Sequence, residues 1–134
     1  MFGFRKTLDV VTLFRKAGSP ASARAAAVLK QASTNAAEAA TEEQTKTHRP
    51  PFELNITEDL PTRDQLKTIL GYVGKSKISS IVQGATSEND ALKKFKQSPD
   101  SFKQPVIVDW NHSRALASDK ESEILKMLDR LNSK

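Results

Sequence analysis

Two short runs of apolar and β-branched residues, one near each end of the chain, constrain its architecture most strongly. Residues 8–14 and residues 105–110 have the composition of buried strands. The first run leads into a glycine- and proline-containing turn and then into an alanine-rich stretch with high helix propensity. A strand followed by a helix and another strand predicts a parallel pair joined by a right-handed crossover.

The turn after the first strand carries a helix-start signal. Ser19 is suited to cap the helix, and Pro20 to its first position, where the missing N–H of proline costs nothing. Residues 31–51 that follow are poor in large apolar side chains, so they cannot bury enough surface to order themselves independently. We expect residues 31–51 to be an extended helix end that runs into a mobile polar insertion.

The middle of the chain supplies a second strand and two helices. Just after the insertion, apolar and polar residues alternate, which predicts a half-buried strand. Thr62 and Gln65 have the spacing of a capping box at the start of a helix. Residues 75–86 are weakly patterned, so we expect a loop there. A short helix is then expected to begin at Ser87 or Asn89.

The last third of the chain predicts a hairpin and a terminal helix. Residues 111–113 form a turn between the strand at residues 105–110 and a short returning strand. Ser118 and Glu121 make a second capping-box pattern, which an apolar stripe follows. The full order of elements predicts an α/β fold with a mixed four-stranded sheet flanked by helices, in a single domain over residues 1–134.

The absence of cysteine excludes one kind of chemistry. None of the 134 residues is cysteine, so the side chains present cannot perform thiol–disulfide exchange or bind a metal through a thiolate. The two histidines, His48 and His112, are far apart and have no second ligand at metal spacing, so we expect no metal site. We expect no cofactor either. No run of residues is apolar enough to span a bilayer.

The formal charge of +5 favours association with acidic partners. The basic residues are spread along the chain, and their densest run, residues 93–96, lacks an RNA-binding signature, which disfavours nucleic acid as a partner. Among residues 1–37, Asp9 is the one acidic residue beside six basic ones. This is the composition of a mitochondrial transit segment. A basic first strand and helix of the mature fold is the alternative, and both can hold together.

The predicted order of elements resembles that of thioredoxin-like proteins. Ser19, Pro20 and Ser22 stand where thioredoxin-like oxidoreductases carry a Cys-Pro-x-Cys motif. Pro105, directly before the third strand, stands where this fold keeps a cis-proline. The resemblance makes these four residues a candidate binding groove. Their alternatives are an ordinary helix cap and a plain strand-start proline.

Longer segments resemble the fungal mitochondrial putative redox protein family. These segments are residues 11–14, 19–22, 60–66, 102–111 and 121–125. The resemblance implies a thioredoxin-like fold, a mitochondrial address and an oxidoreductase role. Members of that family can carry a cysteine, proposed to be catalytic, on the helix before the third strand. The equivalent position here is Lys94, which cannot replace the chemistry of sulfur.

Four functional hypotheses stay open on the sequence alone. The first is the oxidoreductase-like role of the family, and the second is a non-catalytic scaffold that binds a partner protein or peptide through Pro105 and the Ser19 helix end. The third is catalysis by Ser19, Ser22 or Lys94, which lacks an activating base in the sequence. The fourth is a glutathione-like or other anionic ligand at the start of the first helix, favoured by the two basic residues before it.

Overall fold

One mixed four-stranded sheet forms the centre of the molecule. The computed structural model describes residues 9–41 and 52–129, and its strands are β1 (Asp9–Phe14), β2 (Phe52–Thr57), β3 (Val106–Asp109) and β4 (Arg114–Leu116). They lie in the order β2-β1-β3-β4. Strand β1 is parallel to β2 and antiparallel to β3, and β4 is antiparallel to β3. The predicted α/β fold with a mixed sheet is confirmed, and the arrangement is compatible with a thioredoxin-like fold.

The described residues form five helices around this sheet. They are α1 (Pro20–Thr41), α2 (Arg63–Val73), α3 (Ile78–Ile81), α4 (Glu88–Gln97) and α5 (Glu121–Asp129), with 3₁₀ turns at Lys75–Lys77 and Pro99–Ser101. Helices α1 and α5 pack on one face of the sheet, and α2, α3 and α4 pack on the other. Over residues 9–41 and 52–129, no helix combines the length and the apolar character that crossing a bilayer requires.

Strand β3 is buried on both faces, because successive side chains of a strand point to opposite sides of the sheet. Ile107 packs with Leu13 and Leu29 in the core between the sheet and α1 and α5. Val106 and Val108 pack in the second core, beneath α2, α3 and α4. Each fully buried side chain of this kind contributes about 1.5–3 kcal/mol.

Local capping decides where two of the helices begin. Thr62 and Gln65 form the predicted capping box of α2, in which each side chain accepts the backbone N–H of the other residue. The hydroxyl of Ser87 caps α4, as predicted for that residue. The predicted terminal helix α5 is present, but its predicted cap differs. Ser118 accepts the N–H two residues further on, and the helix begins only at Glu121, so the expected second capping box is not formed.

Residues 75–86 correct the prediction of a loop. They contain a 3₁₀ turn and helix α3, and the side chains of Ile78, Ile81 and Val82 are buried in the core beneath α2. Each of these elements is a single turn, too short to show a helical repeat of apolar residues. The segment is therefore held by burial in the tertiary structure rather than by local propensity.

The structure describes part of the predicted polar insertion at residues 31–51. Helix α1 continues to Thr41, as expected for an extended helix end. Residues 42–51, which we expected to be mobile, lie outside the described residues, and so do the first eight residues of the predicted transit segment.

Candidate functional site

Helix α1 begins at the end of the sheet where β1 stops. The hydroxyl of Ser19 accepts the N–H of Ser22 at 3.2 Å, which confirms Ser19 as the helix cap and Pro20 as the first helical residue. The chain turns into this helix through Gly18, whose φ of +78° lies in the left-handed region that glycine adopts without strain. This first turn of α1 thus projects from the carboxyl end of β1.

The side chain of Ser22 points inward at this turn. Its exposed fraction is 0%, and its hydroxyl oxygen accepts the backbone N–H of Lys16 at 2.9 Å. The bond gives a partner to a backbone N–H of the loop between β1 and α1. Without it, this N–H would lose its hydrogen bond to water on folding and gain none in return. Ser22 therefore holds the loop against the helix, and its hydroxyl is not presented to solvent.

Pro105 reaches the same end of the sheet from the other side. The Gln104–Pro105 peptide bond is cis, as expected. Phe14 of β1 pairs with Val106 of β3, and this register continued by one residue places Pro105 beside Arg15. The side-chain amide of Gln104 donates to the backbone carbonyl of Arg15 at 3.0 Å. The structure thus brings the proline and the Ser19 turn together at one end of the sheet, linked through residues 15 and 16.

Only part of the predicted groove is accessible. Ser22 and Pro105 are buried, Ser19 is half-buried and Pro20 is exposed. The exposed surface at this end of the sheet also includes Lys16. The exposed Glu58 and Asp59 follow β2 at the same end of the sheet. A negatively charged group is therefore favoured only beside the start of α1 and its lysine.

Arg15 adds a second positive charge beside that surface. Its backbone N–H donates to Thr57 of β2 at 2.9 Å, which fixes the residue at the sheet. Its side-chain Nε is buried and has no hydrogen-bond partner. A buried donor without a partner is costly, but this nitrogen is out of contact with solvent, so Arg15 contributes its positive charge rather than an open donor to this end of the sheet.

The histidine that the structure describes lies far from the serines at this end of the sheet. His112 is the single histidine among the described residues. It follows β3, which ends at the opposite end of the sheet because β1 and β3 are antiparallel. A serine hydroxyl needs an adjacent base to act as a nucleophile. In this arrangement the hydroxyl of Ser19 caps α1 and the hydroxyl of Ser22 accepts the N–H of Lys16.

Lys94 lies apart from this end of the sheet. It belongs to α4, which packs on the opposite face of the sheet from α1. Its Nζ is 3.9 Å from Oδ1 of Asp90, one helical turn earlier. The pKa of Asp90 is lowered from its usual value, first by the hydrogen bond from the backbone N–H of Thr86 and also by the charge of Lys94. The structure therefore does not bring Lys94 together with Ser19, Ser22 or Pro105.

Sequence reasoning missed a polar cluster at the turn between β3 and β4. Asp109 has an exposed fraction of 0%. Nδ1 of His112 lies 3.2 Å from Oδ1 of Asp109 and 3.1 Å from Oδ2 of Asp109. The hydrogen-bond geometry favours Oδ1, so Oδ2 of Asp109 is left without a hydrogen bond. Asp9 lies 3.8 Å from the same Nδ1. The Asp-x-x-His spacing across a predicted turn is the sequence signal that could have revealed this contact.

The polar cluster closes the hairpin. Oδ1 of Asp109 also accepts the backbone N–H of His112 at 3.3 Å, and the side chain of Asn111 accepts the N–H of Val10 at 2.8 Å. These bonds tie the turn to the first strand. Within the described ranges, no three histidine or acidic side chains converge in a way that suits a metal ion.

Comparison with known proteins agrees with the resemblance seen in the sequence. The model of a family described as "Protein of unknown function (DUF1687)" matches residues 2–119. A relative from Schizosaccharomyces pombe bears the name "Putative redox protein fmp46, mitochondrial" and is 40% identical over 63 residues, which are 47% of this chain and 52% of the relative. The match thus spans about half the length of that relative, whose name carries the mitochondrial address expected here. Because the family model covers most of the sequence, the chain belongs to the DUF1687 family.

Proposed function

We propose that this chain is a mitochondrial member of its family that binds a partner without thiol chemistry. The observation that carries the proposal is at the start of α1. The sequence has no cysteine, and the hydroxyl of Ser22, where a thioredoxin-like oxidoreductase would carry a thiol, is buried and bonded to the N–H of Lys16. Because the hydroxyl of Ser22 is occupied in holding the loop before α1, this turn has a structural role.

The charge at this end of the sheet supports an anionic group on the partner. Lys16 is exposed, the half-buried Arg15 adds a second cation beside it, and the start of α1 adds a partial positive charge. A glutathione-like molecule or an acidic peptide segment carries carboxylates that suit such a surface. Groups that contact Lys16, Ser19 and Pro20 would lie next to the cis-proline, in the region where we expected the groove.

An oxidoreductase-like role is the second candidate. The name of the S. pombe relative supports it. It would require a redox group from outside the 134 residues, because thiol exchange needs a sulfur that these residues lack. We therefore place the partner-binding role first.

The mitochondrial address rests on two independent observations. The S. pombe relative has a mitochondrial name, and residues 1–37 have one acidic and six basic residues. Import of the full chain into isolated mitochondria tests this part. We expect protection from added protease, and loss of protection when Arg5 and Lys6 are both changed to Gln. A variant with Lys93→Gln and Lys96→Gln removes the same charge elsewhere and should still be imported.

Two measurements on the purified full chain test the binding role. In an insulin-reduction assay with glutathione, alongside thioredoxin as positive control, we expect no turnover above background. In a titration with glutathione followed by backbone amide shifts, we expect changes at residues 16–24 that weaken in Lys16→Glu. Lys67→Glu on α2 is the matched control for charge. Turnover above background would contradict the absence of thiol chemistry. Unchanged amide shifts at residues 16–24 would contradict binding at the start of α1.

A further inference from the structure

The open edge of the sheet at β4 lies in a groove that has no part in the function proposed above. Strand β4 (Arg114–Leu116) is last in the sheet order, so within the described residues one of its two edges has no strand beside it. A groove of about 400 Å³ runs along this strand. An unpaired strand edge presents backbone N–H and C=O groups to whatever enters beside it.

Two walls frame the groove. One wall is the end of α2 with Tyr72 and Val73, and the other is α5. Leu116 on the strand and Val73 on the wall are half-buried, so each leaves some apolar surface in the groove. A single extended segment lying about 4.8 Å from β4 would contact both walls.

The groove is positively charged. Lys77, Arg114 and Lys126 line it, with Glu123 as the one acidic residue of the lining among those described. Lys77 and Lys126 are exposed, and no ion pair with another described residue engages either of them. Arg114 is half-buried and held in place, because its guanidinium approaches the carbonyl of Met127 at the end of α5.

We propose that β4 receives an extended acidic segment of a partner protein as a fifth strand of the sheet. Main-chain hydrogen bonds to the open edge would supply the affinity common to strand addition, and side chains on alternate positions would supply the specificity. The three cations select carboxylates on the incoming strand. They also disfavour a second copy of this chain at the same edge, because Lys77, Arg114 and Lys126 of the two copies would face each other.

This surface is independent of the one proposed at the start of α1. One lies at the start of α1 and the other along β4, and an amide titration reports them separately, at residues 16–24 and at Arg114–Leu116. Loss of one response with retention of the other therefore distinguishes failure of this inference from failure of the proposed function.

The test uses the full chain and a defined probe. The probe is a capped hexapeptide of alternating Glu and Val, titrated at up to millimolar concentration and followed by amide shifts and by anisotropy of a fluorescent label. We expect shifts at Arg114–Leu116, and about tenfold weaker binding in the double variant Lys77→Glu/Lys126→Glu. Binding should also weaken as salt is raised. Two Lys-to-Glu changes at Lys30 and Lys67, both exposed and outside the groove, are the control.

Two further peptides separate strand addition from simple charge attraction. A peptide of alternating Lys and Val should not bind. The Glu–Val peptide with its alternate amides methylated keeps every carboxylate but cannot pair with a strand, so it should lose the shifts at β4. Equal binding of the methylated peptide would overturn strand addition. No shift at Arg114–Leu116 with the unmodified probe, or dimerisation of the chain through β4, would overturn the inference as a whole.

Discussion

The indole Nε1 of Trp110 donates a hydrogen bond of 2.8 Å to the hydroxyl of Thr12. Thr12 lies on β1 with an exposed fraction of 4%, and Trp110 follows β3 directly. The indole ring also packs edge to face against Tyr72 of α2, with 6.3 Å between ring centroids. Trp110 therefore joins the first strand to α2, on the face of the sheet opposite α5.

Replacing Thr12 by valine tests this relationship. The variant keeps the shape of the side chain but removes the acceptor, so the indole N–H loses its partner in a part-buried position. We expect the free energy of unfolding to fall by about 1–3 kcal/mol. Urea unfolding followed by circular dichroism measures it without relying on the fluorescence of the same tryptophan.

Thr12→Ser is the matched control, because it retains the hydroxyl and should keep the indole bond. We expect the emission spectrum of Trp110, the single tryptophan of the sequence, to change in Thr12→Val and to stay close to wild type in Thr12→Ser. Equal stability of Thr12→Val and wild type would contradict a structural role for the bond.

Ser22→Ala should destabilise the chain more than a serine substitution on the surface. The change removes the acceptor for the Lys16 N–H inside a fully buried position, and we expect a loss of about 1–2 kcal/mol. Ser76→Ala, at an exposed residue of the first 3₁₀ turn, should leave stability unchanged. Equal unfolding midpoints for the two variants would show that the buried hydroxyl is dispensable.

The features that the sequence predicted correctly are those with a local cause. Ser19 caps α1 because a serine before a proline meets the needs of a helix start without help from distant residues. The box of Thr62 and Gln65 works in the same way, over four consecutive positions. Strand β3 was evident because a strand buried on both faces is apolar throughout.

The features that sequence reasoning missed depend on contacts between distant residues. Ile78 and Ile81 sit in a segment too short to show a helical repeat, and only the core beneath α2 gives them their conformation. The contact of His112 with Asp9 joins residues that are far apart in the sequence but lie at the same end of the antiparallel pair of β1 and β3. Pro105 is likewise buried by packing against distant parts of the chain. Less of the groove is therefore accessible to a ligand than the sequence motif alone suggested.

The stability of α4 should depend on pH through Asp90. The pKa of this carboxyl is lowered in the folded state, first by the Thr86 N–H bond. Between the lowered pKa and the ordinary value of about 3.9, the unfolded chain binds more protons, so this stabilisation is present above about pH 3.9 and is lost as the pH falls through the folded pKa. Asp90→Asn should therefore be less stable than wild type at pH 6, and the gap should close near pH 2.

Lys94→Gln separates the two causes of this pKa shift. The variant removes the nearby charge but keeps the Thr86 bond, which is the larger cause, so most of the pH dependence should remain. Urea unfolding of the three proteins across pH 2–6 measures it. A stability gap between wild type and Asp90→Asn that does not change with pH would contradict the lowered pKa.

Ile81→Ala tests whether the segment between α2 and α4 is a structural part of the core. Ile81 is fully buried beneath α2, and truncating a buried isoleucine leaves a cavity that its neighbours fill only in part. We expect a loss of about 2–5 kcal/mol in the free energy of unfolding. Ser79→Ala, at an exposed position of the same short helix, changes the helix without touching the core and should cost much less. If residues 75–86 were instead the loop that the sequence pattern indicated, the two substitutions would have equally small effects, because a solvated loop buries neither side chain.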